Sequence, residues 1–173
     1  MRLRKMGAVH VYTGDGGGKT TAALGVALRA AGWRKKTVFI QFMKGRPTGE
    51  LKAARKLAPF LEIRQFGSRE FVDLKNPSEA DKQRAFNALE CAWKALAGKP
   101  DLLVLDEANL AAAVGLVKPS EVMALARSAP EKTRVVLTGR NAPKQFIEAA
   151  DFVTEVRDVK RPPAGRPVKG IEY

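Results

Sequence analysis

The chain has 173 residues, 45% of them hydrophobic, with 31 Lys and Arg against 18 Asp and Glu, for a formal charge of +13. That length suits one domain, expected to span residues 1–173, with a core that needs no disulfide or metal to hold it. Unbroken apolar runs such as Leu102–Leu105 and Leu110–Val114 fall far short of the ~20 residues that cross a bilayer, so no membrane insertion is expected. The single cysteine, Cys91, cannot close an internal disulfide, and no apolar segment follows the basic start Met1-Arg2-Leu3-Arg4-Lys5. A cytoplasmic location without a secretory leader is the expectation.

In chain order, Ala8–Thr13 is a short β-prone segment, followed by a glycine-rich loop and an Ala/Leu-rich helix over Lys19–Ala31 that Gly32 stops. Thr37–Phe42 and Leu61–Phe66 read as the next two strands. A long helix follows, with Asn76 as its N-cap, Pro77 in the first position, Glu79 in the third, and Phe86, Leu89, Trp93 and Leu96 as one apolar stripe; Gly98 and Pro100 end it. Leu102–Leu105 is a continuous apolar strand, the pattern of a parallel sheet covered on both faces. Pro119–Arg127 predicts a helix, Arg134–Thr138 a strand, Pro143–Ala150 a helix and Phe152–Val156 a last strand. Strands alternating with helices predict an α/β fold with a mostly parallel sheet, whose ligands bind at the carboxyl ends of the strands.

Three motifs fall at such ends. Thr13-Gly14-Asp15-Gly16-Gly17-Gly18-Lys19-Thr20-Thr21 lies between a strand and a helix. Its glycines allow consecutive N–H groups to turn toward phosphate oxygens, and the helix start adds positive dipole. Lys19 would neutralise phosphate and the Thr20 hydroxyl would bind Mg²⁺, as in GxxxxGK[ST], from which this loop departs only in having Thr13 for the first glycine. The second motif is the apolar strand ending in Asp106-Glu107, whose carboxylates suit a magnesium shell opposite Thr20 or a base toward water. The third is Thr138-Gly139-Arg140-Asn141, where Arg140 either reaches phosphates or is an exposed turn residue. Gln41 and Lys44 follow the second strand at the same edge, as a weaker signal.

His10, the only histidine, and Cys91 read as packed side chains, and Trp93 as core. With one His and one Cys, a transition-metal site built by the protein is not expected. The charge is uneven: residues 1–60 hold thirteen Lys and Arg against two acids. A basic segment of this kind either attracts a polyanion or simply solubilises the surface.

Taken together, Val11–Gly25 (VYTGDGGGKTTAALG), Gln41–Gly45 (QFMKG), Asp101–Glu107 (DLLVLDE), Leu137–Pro143 (LTGRNAP) and the tail VTEVRDVK…KGIEY resemble the P-loop ATP:corrinoid adenosyltransferases, in order over almost the whole chain. The resemblance implies a three-layer, RecA-like P-loop NTPase fold. It also implies a reaction in which the Co(I) of a reduced corrinoid attacks the 5′ carbon of ATP and expels triphosphate. On that reading Gly14, Asp15, Gly16, Gly17, Gly18, Lys19, Thr20, Thr21 and Arg140 hold the nucleotide. Thr20, Asp106 and Glu107 hold Mg²⁺, and Lys19 and Phe71 act in catalysis, Phe71 by excluding the corrinoid's lower ligand. The implied partners are ATP, a cobalamin- or cobinamide-type corrinoid, an electron donor for Co(II) and a second copy of the chain. A nucleic-acid-dependent ATPase and a small nucleoside kinase are the competing readings of the same loop.

Overall fold

The strands are β1 Val9–Thr13, β2 Thr37–Phe42, β3 Leu61–Phe66, β4 Leu102–Asp106, β5 Arg134–Thr138 and β6 Phe152–Glu155. They form one parallel sheet in the order β3-β2-β4-β5-β1-β6. The computed structural model describes residues 7–160 and 168–171. The basic start Met1–Lys5, the run Arg161–Pro163 and the terminal Glu172 and Tyr173 lie outside the described residues. Leaving β1, the chain passes the positions later filled by β5 and β4 and enters the sheet at β2. That crossover places the carboxyl ends of β2, β4, β5 and β1 side by side, the arrangement that opens a ligand crevice.

The helices are α1 Lys19–Gly32, α2 Gly49–Lys56, α3 Glu79–Ala97, α4 Ala108–Ala113, α5 Pro119–Arg127 and α6 Lys144–Ala149. Alternate residues of each strand point to opposite faces. Leu103 and Leu105 of β4 pack with Ile40, Val135 and Leu137 against the side chains of α3, α4 and α5 and Phe146 of α6. Leu102 and Val104 pack with Phe39 and Val136 against Ala23 and Ala27 of α1 and Ala54 of α2. This gives three layers of a P-loop NTPase type with β4 buried along its whole length. Among the described residues no helix is long and apolar enough to cross a membrane.

Two helices have no counterpart in the sequence expectations. The α2 helix is rich in Lys and Arg and buries only Ala54, so it lacks an apolar stripe. The α4 helix has six residues, too few for a helical period to register in the pattern. The start of α3 also differs. Its N-cap is Ser78, whose Oγ accepts from the Asp81 amide while the Asp81 carboxylate accepts from the Ser78 amide, each at 3.2 Å. Asn76 instead donates its amide to Asp73, and Pro77 precedes the cap, so Glu79 is the first helical residue. This reciprocal capping box satisfies two orphan groups at the start of the helix.

The apolar face of α3 is likewise rotated. Ala85, Ala88, Leu89, Cys91, Ala92 and Leu96 are buried, whereas Phe86 and Trp93 are 52% and 39% exposed. Small residues let the helix approach the sheet closely, and the large aromatics are displaced to its flank. The expectation of Trp93 in the core is therefore corrected. His10 is half-buried and stacked on Phe152 with ring centroids 4.4 Å apart; burial lowers its pKa, with Arg134 adding to that effect. Cys91 is buried and its Sγ accepts from Arg64 at 3.1 Å.

Leu89→Ala is expected to destabilise the protein by about 2–5 kcal/mol through the cavity it leaves. Phe86→Ala, on the exposed flank, is expected to cost about 1 kcal/mol. Urea unfolding of the two variants checks the rotation of the helix; equal losses would contradict it.

Candidate active site

The glycine-rich loop runs from the end of β1 into the first turn of α1. Gly18 caps that helix with φ 103°, a left-handed conformation closed to most side chains. The departure at Thr13 has a structural use: its Oγ1 accepts from the Ala142 amide at 3.2 Å, tying the loop after β5 to the end of β1. The segment after β6 lies against the other side of the loop. Val156 donates its amide to the Thr13 carbonyl at 2.8 Å and accepts from the Gly16 amide at 2.9 Å, while the Asp158 carboxylate accepts from the Gly17 amide at 3.0 Å. A Cβ at Gly14 would collide with the Val156 carbonyl, and one at Gly16 would lie 2.7 Å from the Arg157 carbonyl carbon. Glycine at these two positions lets the tail brace the loop.

Lys19 is 7% exposed, and its ammonium donates to the Gly14 carbonyl at 2.7 Å and the Gly16 carbonyl at 2.6 Å. Burial lowers its pKa, the Glu107 carboxylate opposes that shift, and Arg140 reinforces it. The lysine is thus folded back onto its own loop, holding it open around the place where an anion would sit.

A fully buried carboxylate, Asp106 at the end of β4, stands opposite. Its Oδ1 accepts from Thr138 at 2.6 Å and Thr20 at 2.8 Å; its Oδ2 accepts from Lys44 at 2.7 Å and Gln41 at 3.1 Å. Four donors from β5, α1, β2 and the turn after β2 therefore fill its two oxygens. Gln41 is in turn held by Gln65 of β3, whose Nε2 donates to the Gln41 Oε1 at 2.9 Å. The next residue, Glu107, turns sharply with φ 62°, left-handed backbone that costs a non-glycine residue about 1–3 kcal/mol and is concentrated at functional sites. Its amide donates to Thr138 Oγ1 at 3.1 Å. Burial pushes the Glu107 carboxyl above its ordinary value, with Asp106 adding to the shift and Lys44, Lys19 and Arg140 opposing it.

Lys19, Thr20, Lys44 and Glu107 meet in one cavity of about 690 Å³ at the carboxyl ends of the strands. Gly16, Gly17, Gly18, Lys19, Thr20 and Thr21 line one wall, with Glu107 and Arg140 beside them. Lys44, Glu50 and Phe71 line another, and Gly170 and Ile171 of the KGIEY segment also reach it. Phe71 is 87% exposed, with the Arg46 guanidinium over its ring at 4.6 Å from the centroid. Asp15 lies outside this cavity, in a neighbouring one of about 430 Å³ shared with Gly16, Arg140, Glu155, Arg157 and Asp158. Gly14 contributes its carbonyl to Lys19 rather than a wall of the cavity. Arg140 is exposed and borders both spaces.

The oxygen donors of Thr20, Asp106 and Glu107 suit a hard divalent cation such as Mg²⁺, which keeps several waters and takes the rest of its shell from phosphates. Among the described residues there is no group of three His, Cys, Asp or Glu side chains able to hold a metal alone, so such a cation would depend on ligand oxygens. Glu107 is the better-placed carboxylate, since Asp106 already accepts four hydrogen bonds.

Three polar residues of this framework are beyond the reach of sequence spacing. In the sequence Thr138 stands out only as part of a turn motif, yet it joins β5 to Asp106. Gln41 carried a weak signal as a cavity residue and is instead fully buried against Asp106. Asn109 had none; it is fully buried and its Nδ2 donates to the Tyr12 and Gly139 carbonyls, both at 3.0 Å, stitching β1 to the loop that bears Arg140.

A family model for the ATP:corrinoid adenosyltransferase BtuR/CobO/CobP matches residues 5–173. The chain belongs to that family. It is therefore a transferase by family. The corrinoid adenosyltransferase of Pseudomonas aeruginosa is 36% identical over 175 residues, covering 96% of this chain and 84% of that protein. That of Escherichia coli is 35% identical over 156 residues, covering 89% and 78%. The corrinoid adenosyltransferase CobA of Salmonella typhimurium is 33% identical over 156 residues, with the same two coverages of 89% and 78%.

The raised Glu107 carboxyl makes a signed prediction. A carboxyl that holds its proton more tightly when folded contributes stability below the ordinary Glu range, and that contribution is lost as pH rises through the folded value. Glu107→Gln cannot ionise. Its stability relative to the wild type is expected to grow as pH rises from about 4, where free Glu titrates, toward neutrality. Urea unfolding across that range checks it, and a pH-independent difference would contradict it.

Proposed function

We propose that this protein transfers the 5′-deoxyadenosyl group of ATP to the Co(I) of a reduced corrinoid, releasing triphosphate, in the biosynthesis or salvage of adenosylcobalamin. The observation that carries the proposal is the composition of the cavity at the strand ends, where a phosphate loop with its lysine lines the same space as an exposed aromatic residue, Phe71. A nucleotide and a large planar cofactor precursor could meet there. Family membership supports the same substrates.

The bond broken would be the one between the 5′ carbon and the α-phosphate oxygen. Cobalt supplies the electron pair of the new Co–C bond, and the pair of the broken bond leaves on triphosphate. Negative charge then develops on the leaving group, so the protein's task is positioning and electrostatic stabilisation rather than proton transfer. The loop amides of Gly14 to Thr20 would cradle the chain of phosphates, those of Gly16 and Gly17 in exchange for their bonds to Val156 and Asp158. Lys19 would exchange its bonds to the Gly14 and Gly16 carbonyls for phosphate oxygens. Arg140 borders the same wall and would bind a further phosphate with its planar fork. Thr20 and Glu107, with Asp106 behind Thr20, would hold Mg²⁺, which when bound supplies charge neutralisation to the triphosphate. Asp15 and Thr21 would complete the edges of the nucleotide site. Phe71 would occupy the corrinoid side and keep the lower ligand away from cobalt. On this reading the chain works as one cytoplasmic nucleotide-binding domain, paired as a homodimer and fed by an external electron donor for Co(II).

The test is product analysis with Mg-ATP and chemically reduced corrinoid. Adenosylcorrinoid and intact triphosphate in equal amounts are expected; ADP and phosphate alone, stimulated by DNA or RNA, would contradict the proposal and favour an ATPase. Lys19→Ala is expected to lower kcat/KM for ATP by about 10- to 100-fold, the value of losing hydrogen bonds from a charged group, with circular dichroism unchanged. Phe71→Ala is expected to slow transfer to a corrinoid bearing a lower-ligand base more than transfer to one lacking it. Equal slowing with both would remove Phe71 from that role.

A further inference from the structure

Lys44 is placed where the proposed chemistry calls for a different cation. Its ammonium is 2.7 Å from Asp106 Oδ2 and 3.0 Å from Thr20 Oγ1. These are two of the three side chains whose oxygens suit a divalent metal, and the Thr20 hydroxyl also donates to Asp106 at 2.8 Å. The placement is built into the backbone. Met43, just before it, takes left-handed backbone with φ 56° and donates its amide to the Phe66 carbonyl at 3.0 Å, which bends the chain out of β2. Gly67 lies so close to the Met43–Lys44 peptide that a Cβ there would collide with it. The lysine stem thus leaves a fixed point and reaches back over the end of β4.

Asp106 is fully buried, while the Lys44 side chain is 29% exposed and lines the cavity. A buried carboxylate without a compensating charge is strongly unfavourable, and among the described residues Lys44 is the one cation that pairs with it in a salt bridge. A lysine ammonium is a compact charge on a flexible stem, able to withdraw toward solvent without unfolding its surroundings.

We infer that Lys44 is a tethered cation that occupies the Thr20–Asp106 position when no divalent metal is present, and that metal binding there competes with it. The inference deepens the reading of this cavity as a metal and triphosphate site and rests on it. Two consequences follow. Lys44 keeps Thr20 and Asp106 aligned through its two hydrogen bonds. A divalent cation arriving at Thr20 and Glu107, in front of Asp106, meets a positive charge that it must displace or tolerate, so metal affinity is set partly by a residue that is not itself a ligand.

The test is Mn²⁺ binding to the protein without nucleotide, followed by loss of the free-ion electron paramagnetic resonance signal. Lys44→Met is expected to bind Mn²⁺ at least about tenfold more tightly than the wild type, since a unit charge a few ångströms away is worth that much or more at a partly solvated site. Lys44→Gln, which keeps a donor for Asp106 and disturbs packing less, is expected to do the same. Lys44→Arg retains the charge and is expected to match the wild type. Equal Mn²⁺ affinity in the wild type and the two neutral variants, including no binding by any of them, would overturn the inference. In parallel, ATP binding by calorimetry in EDTA is expected to weaken about tenfold in Lys44→Met, and to weaken less with saturating Mg²⁺, which replaces the lost charge. A loss of the same size in both conditions would also overturn the inference. Failure of the wild type to bind ATP in either condition would instead overturn the nucleotide reading, so the two failures are distinguishable.

Discussion

The site is organised around one buried charge. Asp106 has no exposed surface, yet it ends a strand in the middle of the sheet and holds donors from β2, β5, α1 and the turn after β2. A carboxylate in that position is tolerated only when its oxygens are hydrogen-bonded and its charge is matched. Thr20, Thr138, Gln41 and Lys44 meet both conditions. Each of them is thereby fixed in space, and with Thr20 the first turn of the phosphate loop's helix is fixed as well. The strand order matters here because it brings β2, β4 and β5 together as neighbours, so that one carboxylate can reach them all.

The loop itself is braced from the other side by the tail. Val156 and Asp158 take the amides of Gly16 and Gly17, and glycine at positions 14 and 16 leaves the space for that contact. The phosphate loop is therefore held between a buried anion reached through Thr20 and a strand extension reached through its backbone. Preorganisation of this kind suits a reaction in which the leaving group gathers charge and the protein contributes position and dipoles. Cavity composition agrees with that demand: its described lining holds no histidine, and the sequence's only one, His10, is stacked on Phe152 in the sheet.

Much of this was legible in the residues. The strands over Thr37–Phe42, Leu61–Phe66 and Arg134–Thr138 and the helix over Pro119–Arg127 lie where their β-branched or apolar patterns and flanking turn residues put them. The phosphate loop was readable because few other structures need four glycines followed by Lys-Thr at a helix start. What escaped has physical causes. The α2 helix buries one alanine and has no stripe to detect. In α3 the large aromatics looked like the buried face, but close packing on a sheet selected alanines instead, and Phe86 and Trp93 remained outside. The roles of Gln41, Lys44, Thr138 and Asn109 depend on which strand ends become neighbours, and that is a property of strand order which spacing along the chain does not carry. The excess basic charge of the first sixty residues is only partly absorbed by the cavity, through Lys19 and Lys44; Lys52, Arg55 and Lys56 are exposed on α2.

The claim that Asp106 and Lys44 form the charge pair on which the site depends is tested most directly by a double-mutant cycle on folding stability. Asp106→Asn removes the carboxylate charge while keeping one acceptor oxygen, and Lys44→Met removes the cation. The account predicts that the double variant loses less than the sum of the two single losses, with a coupling of about 0.5–3 kcal/mol, the range for residues that share a network. Additive losses would contradict it.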